Sequence, residues 1–322
     1  MNAITAQSPA PATLGGESMG TTWSVKLAAP PGANLHALHH GIQSVLDDVV
    51  AQMSNWEPDS DLARYNAARA GSWHALTDGF WRVLQAALEI AAASDGAFDP
   101  TVGALADTWG FGPSRRIDTS ATALEAARSH MGWRRIELDA ANHRALQPGG
   151  VRLDLCAIAK GHAVDAVAEH LRARGIANAL VEVGGELSGY GRRPDGTPWR
   201  VLVEAWTGDE DGSAEPRVLA LDGLAVATSG ERWHHHQHDG IRASHTLDPR
   251  SGKPARDAPV AVTVVASDAM HADGWATALT VLGIHTGYEL ACARGLAARF
   301  IAPATDGHAE RMTPAFNALL DG

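Results

Sequence analysis

Apolar residues recur along this 322-residue chain with two periods, and the switches between them divide it into helices and strands. Met19 and Gly20 make a turn that feeds an alternating run through Trp23, Val25 and Leu27, predicting a strand. Leu35, Leu38, Ile42, Leu46, Val49, Val50 and Met53 then share one helical face. That helix stops at MSNWEPDSDLARYN, a loop of Asn, Asp, Ser and Pro with Trp56 near its centre. Phe80, Val83, Leu84, Ala87, Leu88 and Ala91 mark a second helix, with Asp78 as its expected N-cap. Residues 1–15 are rich in Pro and Ala and predict a loose tail; residues 16–322 predict a single domain, with no internal repeat and no linker.

The most informative stretch is LDLCAIAKG, residues 153–161. Residues 151–155 alternate as a strand, and Val164, Val167, Ala168 and Leu171 then fall at helical spacing up to Gly175, a suitable stop. Asp154 stands at the strand exit and Lys160 at the helix mouth, with the small residues Ala157, Ala159 and Gly161 around them. Small residues let backbone approach a ligand, and a helix N-terminus favours anions. An ordinary strand-to-helix turn has the same pattern.

Further on, residues 178–187 (NALVEVGGEL) predict a buried strand ending in a glycine pair. Strands are expected at 135–138, 200–204, 217–221, 225–228, 260–266 and 297–302, and helices at 124–130, 271–283 and 288–294. The acidic stretch 207–216 predicts an exposed hairpin loop.

Composition narrows the classes. With 45% hydrophobic and 20% charged residues this is an ordinary globular chain. A formal net charge of −11 argues against nucleic acid and basic membrane-surface binding. No apolar run reaches the length of a membrane span. The N-terminus has neither a basic nor an apolar leader region, which points to the cytoplasm; a removed leader would instead place the protein in the periplasm. Cys156 and Cys292 are the only cysteines, so one disulfide at most is available.

Asp273 and Thr277 sit at i and i+4 of a predicted helix and project from one face, with Asp273 expected on an open surface cleft. A carboxylate and a hydroxyl, joined by a carbonyl from the small-residue loop, are hard oxygen ligands suited to Mg²⁺. His234, His235, His236 and His238 form a cluster, but consecutive histidines do not share a face, so a solvated loop is expected rather than a metal site. His245 lies between Ser244 and Thr246, just before Asp248-Pro249, and an imidazole there can take a proton from a hydroxyl nucleophile.

SMGTTWSVKL, MSNWEPDSDLARYN, SDGAFDPTVGALADTWGFG, LDLCAIAKGHAVD, NALVEVGGEL, VATSGERW, SHTLDPRSGKP and HADGWATALTVLG resemble, in order, the successive blocks of the ApbE family of FAD:protein FMN transferases, from about residue 19 to 283. The resemblance implies an α+β, T-fold-like architecture, with antiparallel or mixed sheets, flanking helices and FAD in a central cleft beside Mg²⁺. It implies cleavage of the FAD pyrophosphate, release of AMP, and attachment of FMN through a phosphoester to a Thr or Ser of a target flavoprotein. Met19 and Trp56 are implied to flank the flavin nucleotide, with Trp56 standing where the family often has tyrosine. Ala97, Phe98 and Asp99 are implied on the adenine and ribose side, Asp154 and Lys160 against FAD, and Leu247 packed on it. The Ala157 carbonyl, Asp273 and Thr277 are implied to hold Mg²⁺, and His245 to activate the acceptor hydroxyl, with Asp273 as the other catalytic residue. Many members are lipoproteins or periplasmic, and many carry aromatic residues where this chain is His-rich. A Mg²⁺-dependent FAD pyrophosphatase would use the same site. A non-catalytic flavin-binding or trafficking protein would not need the metal and base residues.

Overall fold

Eight strands pair antiparallel in strict chain order: β1 (Ala12–Ser18), β2 (Thr21–Leu27), β3 (Ala179–Val183), β4 (Glu186–Tyr190), β5 (Leu224–Gly230), β6 (Ala261–Ala266), β7 (Ala297–Ala304) and β8 (Gly307–Met312). The structure, a computed structural model, describes residues 10–203, 216–230, 235–238, 241–255, 258–304 and 307–320, and only the backbone of 235–238, 241–244, 303–304 and 307–308.

Alternation along these strands sorts side chains onto two cores. Val181, Val183, Ala225, Ala227, Val262, Val264, Ala298 and Phe300 face a layer of helices. Leu180, Val226, Val265 and Ala297 face the other way. There the ribbon of Trp199–Val203 and Arg217–Leu221, together with Phe316, covers them. Both faces are therefore buried, which explains the near-continuous apolar runs of β3 and β6.

The helical layer comes from two long insertions. Between β2 and β3 lie α1 (Leu35–Met53), α2 (Asp78–Ala93) and α3 (Ala159–Ala173); between β6 and β7 lies α4 (Ala269–Ala293). The α1 face read from the pattern is buried through Leu38, Ile42, Leu46, Val49 and Met53. Helices α3 and α4 interlock at Gly161, where a Cβ would lie 2.2 Å from the Ala269 carbonyl oxygen. Asp165 of α3 accepts from the Ala269 and Met270 N–H groups at 2.8 and 2.9 Å, satisfying orphan donors at the start of α4.

Several expectations need correction. Residues 12–15 belong to β1, not to a tail; the strand is a glycine-bearing edge with little periodicity, and its pairing with β2 holds it. Residues 151–155 are extended but make only one bridge, Val102 with Arg152, because the Asn66 side chain takes the Leu153 backbone groups. Thr77 rather than Asp78 is the residue before α2, with Asp78 in its first turn. Residues 133–135 form a 3-10 turn, with strand structure only at Leu138–Asp139. Residues 235–238 pair with 241–244 as a hairpin where a loop was expected. Cys156 and Cys292 are both free thiols. The acidic stretch lies outside the described residues up to 215, as does His234.

Candidate functional site

The loop 154–158 turns the chain from the extended segment into α3, and three neighbours fix its path. Asn66 donates to the Leu153 carbonyl at 2.9 Å and accepts from its N–H at 2.7 Å. The Asp154 N–H donates to the Pro100 carbonyl at 2.8 Å. Within the loop, the Asp154 carboxylate accepts from the Cys156 N–H at 2.9 Å, and Asn55 donates to the Cys156 sulfur at 3.5 Å. Asn55 thereby ties the Trp56 loop to this one. Trp56 itself is 52% exposed. Burial, then the neighbouring Asp154 carboxylate, push the Cys156 thiol well above its ordinary range.

At the mouth of α3, Lys160 donates to the Glu186 carboxylate of β4. Asp273 of α4 is buried and accepts from the Gly161 N–H at 3.0 Å. These three charged groups face one another. Burial pulls the Lys160 amine down, but the Asp273 and Glu186 carboxylates outweigh it and hold the amine above its ordinary range. Burial pushes the Asp273 carboxyl up, opposed by Lys160 and the Gly161 N–H. Burial and the Asp273 charge push Glu186 up to about 8, against the pull of Lys160. Two buried carboxylates thus answer to one ammonium, which is the situation that perturbs acids at functional sites.

The other predicted residues divide by position. Met19 is partly buried, with φ at 53°, in the β1–β2 turn; the Gly184 N–H donates to the Thr22 carbonyl at 3.1 Å, so that turn and the β3–β4 turn are neighbours. Ala97 and Phe98 are buried, Phe98 in the main core. The Asp99 carboxylate is occupied by the Thr101 N–H and hydroxyl and the Trp133 N–H. Leu247 packs with Leu105, Ala106 and Ala127 in a small separate core. His245 meets the Phe111 ring edge-on at 6.5 Å between centroids. The helix that carries Leu105 is joined to the site loop through the Gly103 N–H and the Arg152 carbonyl.

The residues suggested for a metal fit one. Gly161, four residues after Ala157, gives its N–H to the Asp273 carboxylate, which ties Asp273 to the loop that carries Ala157. Thr277 is half-buried one turn beyond Asp273 on the same helix. A carbonyl, a carboxylate and a hydroxyl are hard oxygen donors, and a cation beside them would favour the ionised form of the buried Asp273 carboxyl. Glu186 Oε2 is buried without a hydrogen-bond partner among the described residues.

Glu186 and Asn66 were not found from the sequence. The signal for Glu186 was a carboxylate directly after a glycine pair, in a strand pair apolar but for Glu182 and Ser188; Asn66, at the end of a short helix, gave none.

The antiparallel sheet and its helical layer thus bring a lysine, two buried carboxyls and the start of α3 together at one place. A model of the ApbE family matches residues 19–300. The FAD:protein FMN transferase of Salmonella typhimurium is 36% identical over 322 residues, covering 98% of this chain and 91% of the relative. That of Vibrio cholerae is 35% identical, covering 95% and 92%. Among solved structures, the apo flavinyl transferase ApbE of Pseudomonas stutzeri has a TM-score of 0.88 at 37% identity and covers 97% of both chains. The flavin transferase ApbE of Vibrio cholerae also has 0.88, at 35% identity over 97% of this chain and all of its own. The chain belongs to the ApbE family.

Proposed function

We propose that this protein transfers FMN from FAD to a Thr or Ser hydroxyl of a target flavoprotein in a Mg²⁺-dependent reaction that releases AMP. The observation that carries this reading is the near-full-length similarity to relatives named FAD:protein FMN transferase. The acceptor oxygen bonds to the phosphorus on the FMN side of the pyrophosphate; the bond to the bridging oxygen breaks, and AMP departs with that oxygen. The hydroxyl proton goes to His245.

Lys160 and the start of α3 take the pyrophosphate charge, and Asp154 fixes the loop beneath it. Met19 and Trp56 flank the flavin nucleotide, and Leu247 packs on it. Ala97, Phe98 and Asp99 form the adenine and ribose wall; Asp99 serves it by bracing the turn, since its carboxylate is already occupied. The Ala157 carbonyl, Asp273 and Thr277 hold Mg²⁺, which neutralises phosphate oxygens when bound.

The test is incubation with FAD, Mg²⁺ and a candidate acceptor flavoprotein, reading covalent flavin fluorescence on a denaturing gel together with AMP. Both signals should appear, and both should vanish with chelator. AMP and FMN without labelled protein would instead make the chain a pyrophosphatase. His245→Ala should keep FAD affinity within about threefold while transfer slows by about 10²–10⁴. Loss of FAD binding in that variant would make His245 a binding residue and leave the proton without an acceptor.

A further inference from the structure

Lys160 is held at two points, and both belong to the same β-turn. Its stem crosses Gly184, whose φ is 62°: a Cβ there would lie 3.3 Å from Lys160 Cδ and 2.9 Å from Thr21 Cγ2. Its amine is taken by Glu186, two residues on, the first residue of β4. Gly185, with φ at 105°, completes the turn between the two. The lysine side chain is 34% exposed and that of Glu186 3%, so a flexible amine near solvent is tied to an immobile carboxylate.

Stability does not explain this carboxylate. Glu186 sets a second ionisable carboxyl beside the buried Asp273, and its Oε2 is buried with no hydrogen-bond partner among the described residues. A buried carboxylate with one oxygen unsatisfied costs more than an apolar side chain of similar size. What Glu186 does supply is direction: a long ammonium side chain with free rotamers is given one position at the mouth of α3.

We infer that Glu186 is the positioning residue for Lys160, the β3–β4 turn acting as a clamp that sets the ammonium over the place where the substrate's phosphates lie. The inference rests on the reading of Lys160 as a contact to FAD. It adds a residue from the sheet to a site otherwise drawn from the α3 loop and α4. Because Glu186 acts through Lys160, its effect depends on the lysine being present.

The experiment is a double-mutant cycle on FAD affinity by equilibrium dialysis, with the variants Glu186→Met, Lys160→Ala and the double variant, alongside thermal unfolding. Methionine removes the acceptor at similar volume. FAD affinity should fall about tenfold in Glu186→Met, in line with the loss of one charge-assisted contact. The unfolding midpoint should hold or rise, which a structural role would not allow. In the Lys160→Ala background the same substitution should change FAD affinity less than twofold. Glu186→Asp, which keeps a carboxylate, should recover part of the affinity. Wild-type affinity in Glu186→Met, or an equal loss in both backgrounds, overturns the inference while leaving the proposed reaction standing. A crystal structure of Glu186→Met supplies a readout independent of FAD. The Lys160 amine should leave its wild-type position, and an unmoved amine overturns the inference even if the wild-type chain fails to bind FAD, which would be the separate failure of the proposed function.

Discussion

Asp273 is 5% exposed, not the open-cleft carboxylate its position in the pattern suggested. Among the described residues its carboxylate accepts one hydrogen bond, from the Gly161 N–H, and burial holds its carboxyl above the ordinary range. Such a group opposes folding in its charged form and needs a compensating charge, which Lys160 supplies only in part because it also answers Glu186. Asp273→Asn keeps the shape and removes the charge. The expected result is a chain at least as stable as wild type in metal-free buffer, with Mg²⁺-dependent AMP release abolished and Mn²⁺ binding, followed by electron paramagnetic resonance, weakened by 10-fold or more (order of magnitude for a lost ligand). Undiminished Mn²⁺ affinity would remove Asp273 from the metal site.

At the scale of elements, the site loop has no regular structure of its own, and its shape comes from helix ends and turns around it. Asn66, the last residue of the short helix Asp61–Asn66, holds both backbone groups of Leu153, a residue with no exposed surface. Asn66→Ala leaves a buried N–H and C=O without partners, and about 2–3 kcal/mol of stability should be lost on unfolding in urea. The loop should loosen with it, so FAD affinity should fall although Asn66 makes no proposed contact with the nucleotide. A loss of stability with FAD affinity intact would show that the Leu153 anchor does not set the loop. Gly161 is the other element-scale constraint, since any side chain there would run into the Ala269 carbonyl and separate the helices that bring Lys160 and Asp273 together.

For the whole molecule, the junction of α3 and α4 decides how stability responds to acid. Burial raises the Asp165 carboxyl from 3.8 to about 6, with the Asp268 and Glu169 charges adding to it and the Ala269 and Met270 N–H groups opposing. The folded chain therefore holds a proton on Asp165 that the unfolded chain has lost between about pH 4 and 6. The stability this group contributes is present below pH 4 and is lost as pH rises through 6. Asp165→Asn should remove that slope, so the difference in melting temperature between wild type and variant should shift in favour of the variant from pH 4 to pH 6.5 in metal-free buffers. A difference that stays constant across the range would mean that Asp165 does not titrate there. His271, paired with Asp268 at 2.7 Å and raised mainly by that bond, shifts stability in the same direction, but its contribution is lost only above its ordinary value of 6.5, beyond the range compared; the Asp165 charge adds a smaller part to that rise.

By itself, the sequence determined what depends on neighbours a few residues away. The apolar faces of α1 and α2, the alternation of β2, the apolar run of β6, the small-residue turn before Lys160 and the pairing of Asp273 with Thr277 on one helix are local patterns, and the ordered motif blocks pointed to the ApbE family. Only the tertiary structure decided that β1 extends into the expected tail, since an edge strand with two glycines is held by its partner's hydrogen bonds rather than by its own pattern. Only it decided the charge balance of the site. Lys160 meets Glu186 across 26 positions, and Gly161 meets Asp273 across 112. Periodicity records which face of an element is buried, not which distant element buries it. The shifts of Glu186 and Asp273 arise from that burial, with the Asp273 charge adding to the shift of Glu186, so they exist only once the sheet and the two helices have closed around them.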